Sequence, residues 1–230
     1  SRRCFDQLFL SAGYARNDIT VIGSDPGVTA AYNGGTHMPF EDMALYRSIP
    51  TATVIDVTDT VMLESVLREC VDRPGVKYIR TPRKSAAKVF ADGEKTPIGP
   101  AIVLREGEDA VIFASGIMVH EAMQAAIALE GEGLSVAVVN PFTVKPLDEE
   151  TIVRYAKKTG AAVCAENHNQ IGGLFSAVAD TLARRAPTPV ECVAVADSYG
   201  EVGAQSYLQQ RFDLTSAHVV RAVKAALARK

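Results

Sequence analysis

Val136-Ala137-Val138-Val139, then Asp148-Glu149-Glu150, Lys157-Lys158 and Gly160, then Ala161-Ala162-Val163-Cys164-Ala165, is the stretch whose reading decides the fold. The two apolar runs have the length of strands, and the segment between them carries the marks of a helix. Asp148 is placed to cap it, two acids meet the positive end of its dipole, and two lysines meet the negative end. Gly160 supplies the left-handed residue on which many helices close. Strand, surface helix, strand is the repeating unit of a parallel α/β sheet.

The alternation continues in both directions. Residues 111–114 form an apolar strand, followed by a helical pattern with Val119, Ala122, Met123 and Ala126 on one face. Beyond residue 165, Gly172-Gly173 opens a helix bearing Ile171, Leu174, Phe175, Val178 and Leu182 on one face. Pro187 and Pro189 precede a strand at residues 190–195, and a last helix from about Ser216 carries Val219, Val220, Val223 and Leu227. Upstream, residues 19–22 read as a buried strand, residues 53–55 as a second and residues 76–79 as a third. Between the last two, Thr58 or Asp59 caps a helix with Leu63, Val66, Leu67 and Cys70 at i, i+3, i+4 and i+7, and Pro74-Gly75 stops it.

Residues 81–100 break the periodicity with Arg83, Lys84, Lys88, Asp92, Gly93, Lys95 and three prolines, and read as an interdomain linker. The boundary is expected near residue 88. Residues 89–230 then form a complete small α/β domain. Residues 1–88 offer about three strands and too few helices to cover both faces of a parallel sheet. Ser1 leads straight into Arg2-Arg3-Cys4-Phe5, which reads as the middle of a helix, so the sequence is expected to be a piece of something longer.

With 230 residues, 47% apolar, 22% charged and a net charge of −3, disordered, collagen-like and nucleic-acid-coating classes fall away. No apolar run approaches the roughly 20 residues of a membrane-spanning helix. Cys4, Cys70, Cys164 and Cys192 are far apart, without C-x-x-C spacing or a signal-peptide pattern, which points to a reducing cytoplasm. No metal site is assigned. Nicotinamide, P-loop and serine-hydrolase chemistry are disfavoured because their glycine-rich and nucleophile-elbow signatures are absent.

The richest polar cluster is Tyr32-Asn33-Gly34-Gly35-Thr36-His37-Met38-Pro39-Phe40-Glu41-Asp42. It follows the strand at residues 19–22 and is expected at the carboxyl ends of the parallel strands, where open α/β sheets bind ligands. His37 is expected beside a helix start, whose partial positive charge favours neutral imidazole; the alternative is a loop histidine capping a helix. Asp25 lies in a turn, Ser24-Asp25-Pro26-Gly27. Arg80 ends a strand, from which its guanidinium could reach a phosphate or carboxylate, or it is a surface arginine. His168, in Glu166-Asn167-His168-Asn169-Gln170, belongs to a second functional loop or to a subunit interface.

Taken together, Gly23-Ser24-Asp25-Pro26-Gly27-Val28-Thr29, Asn33-Gly34-Gly35-Thr36-His37-Met38-Pro39-Phe40-Glu41-Asp42 and Tyr78-Ile79-Arg80-Thr81-Pro82-Arg83 resemble the pyrimidine-binding domain of transketolases. Ser115-Gly116, Asn140-Pro141-Phe142, Lys145-Pro146-Leu147-Asp148 and Glu166-Asn167-His168 resemble the transketolase C-terminal domain. The resemblance implies an α/β chain: residues 1–88 as part of a pyrimidine-binding domain of the thiamine diphosphate fold, residues 89–230 as a three-layer α/β/α domain. It also implies transfer of a two-carbon ketol unit from a ketose to an aldose, as in the pentose phosphate pathway, with thiamine diphosphate and Mg2+ as cofactors.

His37 falls where the family keeps a catalytic histidine near the coenzyme's reactive carbon, and Arg80 where an arginine grips the distal phosphate of a sugar. Asp25 stands where a substrate-binding histidine is common and Asn33 where an acidic residue is usual; both are assigned to the substrate, and a carboxylate at Asp25 would repel a phosphate. The resemblance implies that the family's proton-donating glutamate, its stacking aromatic residue and its diphosphate-and-magnesium domain belong upstream of Ser1. The chain is therefore expected to be inactive alone and completed by an upstream half or subunit, as a homodimer or heterotetramer. Related thiamine enzymes, namely 1-deoxyxylulose-5-phosphate synthases and decarboxylating subunits of 2-oxoacid dehydrogenases, resemble the same C-terminal motifs, and a non-catalytic dimerisation or regulatory module is the third alternative.

Overall fold

The computed structural model describes residues 1–82, 84 and 86–230, and the expectation placed on Arg83 lies outside the described residues. The chain opens with a 3-10 turn at Arg2–Cys4, a short α1 at Phe5–Gln7 and a wide π-helical stretch at Leu8–Tyr14. Strands β1 (Ile19–Ser24), β2 (Thr53–Asp56) and β3 (Val76–Thr81) follow, with α2 (Asp42–Ser48) and α3 (Thr60–Cys70) between them. The later half runs β4 (Ile102–Arg105), β5 (Ala110–Ala114), α4 (Met118–Glu130), β6 (Val136–Asn140), β7 (Thr143–Lys145) and α5 (Glu149–Thr159). It ends with β8 (Ala162–Asn169), α6 (Leu174–Arg185), β9 (Val190–Val195), α7 (Gln205–Arg211) and α8 (Ser216–Leu227).

These strands build two sheets, ordered β1-β3-β2-β7 and β4-β6-β5-β8-β9. Each is parallel except for one antiparallel edge strand, β7 against β2 and β4 against β6. β7 comes from the later half of the chain, so the first sheet is completed by residues remote from it in sequence. β1 lies at the edge of its sheet with Ile22 53% exposed, which corrects the expectation of a buried strand. Its apolar content alone did not distinguish an edge from a centre.

The alternation of side chains along β5 divides the core of the second sheet. Ala110, Ile112 and Ala114 face α4 and α8 with Met118, Ala122, Val219 and Val223. Val111 and Phe113 face α5 and α6 with Ile152, Ala156, Val178 and Leu182. The second sheet is therefore the middle of three layers. The latter cluster continues without a break into Val54 and Tyr78 of the first sheet and Met43, Tyr46 and Ile49 at α2, so one apolar body underlies both sheets.

The predicted caps appear in atomic form. Asp148 Oδ1 accepts from the Thr151 N–H at 3.0 Å, and Gly160 adopts φ +71 beyond the end of α5. Asp59 Oδ1 caps α3 through the Met62 N–H at 3.0 Å, while its Oδ2 accepts from the N–H groups of Val89 and Phe90. One carboxylate thus starts a helix and ties the following connection to it.

Candidate functional site

The candidate loop leaves the carboxyl end of β1 through a turn that side chains rarely tolerate. Asp25 has φ +59 and is buried, and Gly27 has φ +52. A Cβ at Gly27 would lie 2.1 Å from Asn167 Oδ1, so only glycine allows β8 to approach this closely. Gly27 N–H donates to the Pro39 carbonyl at 3.0 Å, which closes the far arm of the loop against the near one.

His37 is exposed and ends a single 3-10 turn, Gly35–His37, with Nδ1 hydrogen-bonded to Thr36 Oγ1 at 2.9 Å. The expectation that it sits beside a helix start is corrected, because α2 begins only at Asp42. The intervening chain is drawn across to the second sheet: Met38 and Phe40 are buried in its core, and Phe40 meets Phe212 edge-on at 5.5 Å. Burying two large apolar groups on that side leaves the segment extended rather than wound.

A cavity of about 560 Å³ is lined by His37, Thr36, Pro39, Gly23, Ser24, Ile22, Tyr78 and the arginine pair Arg2 and Arg3. It opens along the edge of β1. Asn33, which is exposed, and Asp25 and Arg80, which are buried, do not line it.

Arg80 is fully buried, which corrects the reading of a guanidinium reaching out to a phosphate. Its Nε pairs with Asp42 Oδ2 at 2.7 Å, its Nη1 with Asp56 Oδ1 at 3.2 Å, and its Nη2 donates to the Asn167 carbonyl at 3.0 Å. Tyr78 Oη donates to the same Asp42 oxygen at 2.7 Å, and Ser115 Oγ to Asp56 Oδ2 at 2.7 Å. Burial alone would favour neutral carboxyls here. At Asp42 the attraction of Arg80, then of His168, outweighs burial and holds the carboxyl below its ordinary value; at Asp56 burial prevails and the value is raised. Asp42 and Asp56 in turn hold Arg80 charged against its own desolvation.

The end of β8 joins this network to the loop. Glu166 receives the N–H groups of Leu174 and Phe175 at the start of α6, yet burial still pushes it up to about 7. His168 is buried and pushed down to about 4 despite the attraction of Asp42; its Nδ1 donates to the Asn169 carbonyl at 2.7 Å. A buried neutral imidazole is an internal bracket, and the expected functional-loop or subunit-interface role finds no exposed ring at this position.

The sequence reading missed Asn167, Asp42 and Asp56 as site residues. One signal was present: Asp56 and Arg80 each terminate an apolar run, and they are register partners in adjacent parallel strands.

Two mainly parallel sheets with a histidine-bearing loop at the carboxyl end of a strand define an α/β protein, with that loop at the end of the sheet where open α/β folds bind ligands. Comparison narrows the class. The family profile described as "Transketolase, pyrimidine binding domain" matches residues 1–88, and "Transketolase, C-terminal domain" matches residues 99–219. The 6-deoxy-6-sulfo-D-fructose transketolase subunit SqwH of Clostridium sp. (strain MSTE9) is 45% identical over 230 residues, 100% of this chain and 71% of the relative. Transketolase-like protein 2 of Homo sapiens is 35% identical over 228 residues, and this chain spans only 36% of its length. Among solved structures, a split gene transketolase described as an inactive beta4 tetramer superposes with a TM-score of 0.92 at 36% identity, covering 98% of this chain and 72% of that one. The chain belongs to the transketolase family.

Proposed function

We propose that this chain is the C-terminal part of a thiamine diphosphate-dependent transketolase, with residues 1–88 and 89–230 as its two domains, and that it presents His37 to a cleft completed by another polypeptide segment. The carrying observation is the exposed imidazole on a large cavity that runs along the open edge of β1. A cavity bounded on one side by a bare sheet edge suits a shared site.

The bound coenzyme supplies an electron sink for cleaving and forming carbon–carbon bonds. His37, beside Ser24 and the Arg2–Arg3 pair, fits the substrate side of such a group. Its role is to hydrogen-bond the sugar's hydroxyls and to carry a proton at an imidazole nitrogen. Among the described residues no group of three or more His, Cys, Asp or Glu side chains could hold a metal ion. The proposal follows the family resemblance in assigning Mg2+ and the diphosphate to a segment or subunit carrying the diphosphate-binding domain, in a homodimer or heterotetramer, and in placing the assembly in a reducing cytoplasm. No helix among the described residues is long and apolar enough to cross a membrane.

The family resemblance assigns Asp25 and Asn33 to the sugar, although neither lines this chain's part of the cavity, and Arg80 is left to the interior. With Arg80 neutralised by two carboxylates, a distal anion would have to be met by exposed cations such as Arg2 and Arg3. Since a relative is a 6-deoxy-6-sulfo-D-fructose transketolase subunit, a sulfonated ketose is the donor to try beside a ketose phosphate. The test is a coupled two-carbon-transfer assay on the chain reconstituted with its diphosphate-binding partner, thiamine diphosphate and Mg2+. Transfer from either ketose supports the reading, whereas oxidative decarboxylation of a 2-oxoacid alone would replace it.

A further inference from the structure

We propose that Asn167 is a positioning residue whose carboxamide, delivered from β8 of the second sheet, sets the turn at residues 25–29 and so holds the loop that carries His37 in place, without itself touching the substrate. The proposal rests on the assignment of His37 to the substrate cleft made above.

The geometry is that of a single rung added to the loop. Asn167 Nδ2 donates to the Pro26 carbonyl at 2.9 Å, and Asn167 Oδ1 accepts from the Val28 N–H at 3.0 Å. A carboxamide both donates and accepts, so it satisfies a backbone C=O and a backbone N–H two residues apart, as a neighbouring strand would. The backbone carbonyl of Asn167 accepts from Arg80 Nη2 at 3.0 Å, and that guanidinium is fixed in turn by Asp42 and Asp56. Two residues on, the Asn169 N–H donates to the Phe40 carbonyl at 2.9 Å. The end of β8 therefore grips both arms of the loop that carries His37, at Pro26–Val28 and at Phe40.

The turn needs a grip because its backbone is unfavourable. Asp25 has φ +59, in a region that most side chains avoid and that Asp tolerates better than most but still at a cost. Asn167 is 2% exposed, so water cannot replace its hydrogen bonds if they are lost. Gly27 lets the carboxamide in, and its N–H passes the constraint on to Pro39, two residues beyond His37.

The test compares the reconstituted complex carrying Asn167→Leu or Asn167→Asp with the unmutated one, by amide hydrogen exchange and by steady-state kinetics with the ketose donor. Asn167→Leu removes both bonds at nearly constant shape. It should speed exchange at the Gly27 and Val28 amides by about tenfold or more, with exchange in β5 unchanged. KM for the donor should rise by about tenfold while kcat changes far less. Asn167→Asp keeps the acceptor for Val28 and regains a donor when protonated, so its KM should approach that of the unmutated complex as pH falls. Unchanged KM alongside loosened turn amides would overturn the positioning role, as would unchanged exchange. If Asn167→Leu does not fold, Gly27→Ala presses on the same contact from the other side and must give the same pattern. If the unmutated complex transfers no two-carbon unit, the reading of the function fails, while exchange at Gly27 and Val28 still decides the grip.

Discussion

Arg80 and Asp56 are neighbours on adjacent parallel strands, with Nη1 and Oδ1 3.2 Å apart and both side chains sealed from water. A second carboxylate, Asp42, holds the other side of the guanidinium. A buried ion pair adds little net stability, but removing one partner strands the others in a medium that cannot solvate them.

Arg80→Ala is therefore predicted to cost about 3–5 kcal/mol in urea unfolding, because it leaves two uncompensated carboxylates. A loss below about 1 kcal/mol, with a raised KM for an anionic donor, would return Arg80 to the substrate.

Glu166 makes stability depend on pH. Its folded carboxyl is raised to about 7 from an ordinary 4.5 by burial, so the folded chain holds a proton that the unfolded chain has released between those values. The contribution is full below about pH 4.5 and is lost as pH rises through about 7. His168, pushed down to about 4, slopes in the opposite sense below 6.5, and this term is common to both proteins in the comparison. Glu166→Gln should thus gain stability relative to the unmutated chain as pH climbs from 4.5 to 7. Parallel unfolding curves would contradict this.

Gly35 faces a backbone carbonyl of the chain that follows β9. A Cβ there would stand 2.2 Å from the Gly200 oxygen, so Gly35→Ala must push apart the His37 turn and the chain at residues 198–203. We predict a stability loss of about 1–3 kcal/mol together with a fall in transfer activity larger than that of Gly133→Ala, which strains its own backbone at φ +84 but meets nothing within 4 Å.

Lys145 ties β7 to the end of α2 by donating to the carbonyls of Arg47 at 2.7 Å and Ile49 at 2.5 Å. Lys145→Met keeps the stem but abandons two half-buried acceptors, and is predicted to cost about 1–3 kcal/mol in thermal or urea unfolding.

What could be read from the residues followed how local the determining forces are. The caps of α5, strand β9 and the start of α8 are set within a few residues, and the sequence reading placed them. β4 was missed because Ile102–Arg105 is a half-buried antiparallel edge adjoining a stretch that reads as linker. β7 is only three residues long, and α7 buries Leu208 alone, so neither has a period to detect. At the site, the glycines, proline and histidine at residues 34–39 announced a loop at a sheet end. Burial of Arg80 did not show, because a charged residue goes inside only when Asp42, Asp56 and the Asn167 carbonyl converge on it from remote segments.

The most direct measurement is the transfer rate of the complex reconstituted with partner, thiamine diphosphate and Mg2+, with and without His37→Ala. His37 is exposed, so folding should be unaffected. The account predicts a loss of about 2–4 kcal/mol in transition-state stabilisation, roughly thirtyfold to a thousandfold in kcat/KM. A variant complex within about threefold of the unmutated rate would contradict it and favour a chain that serves only assembly.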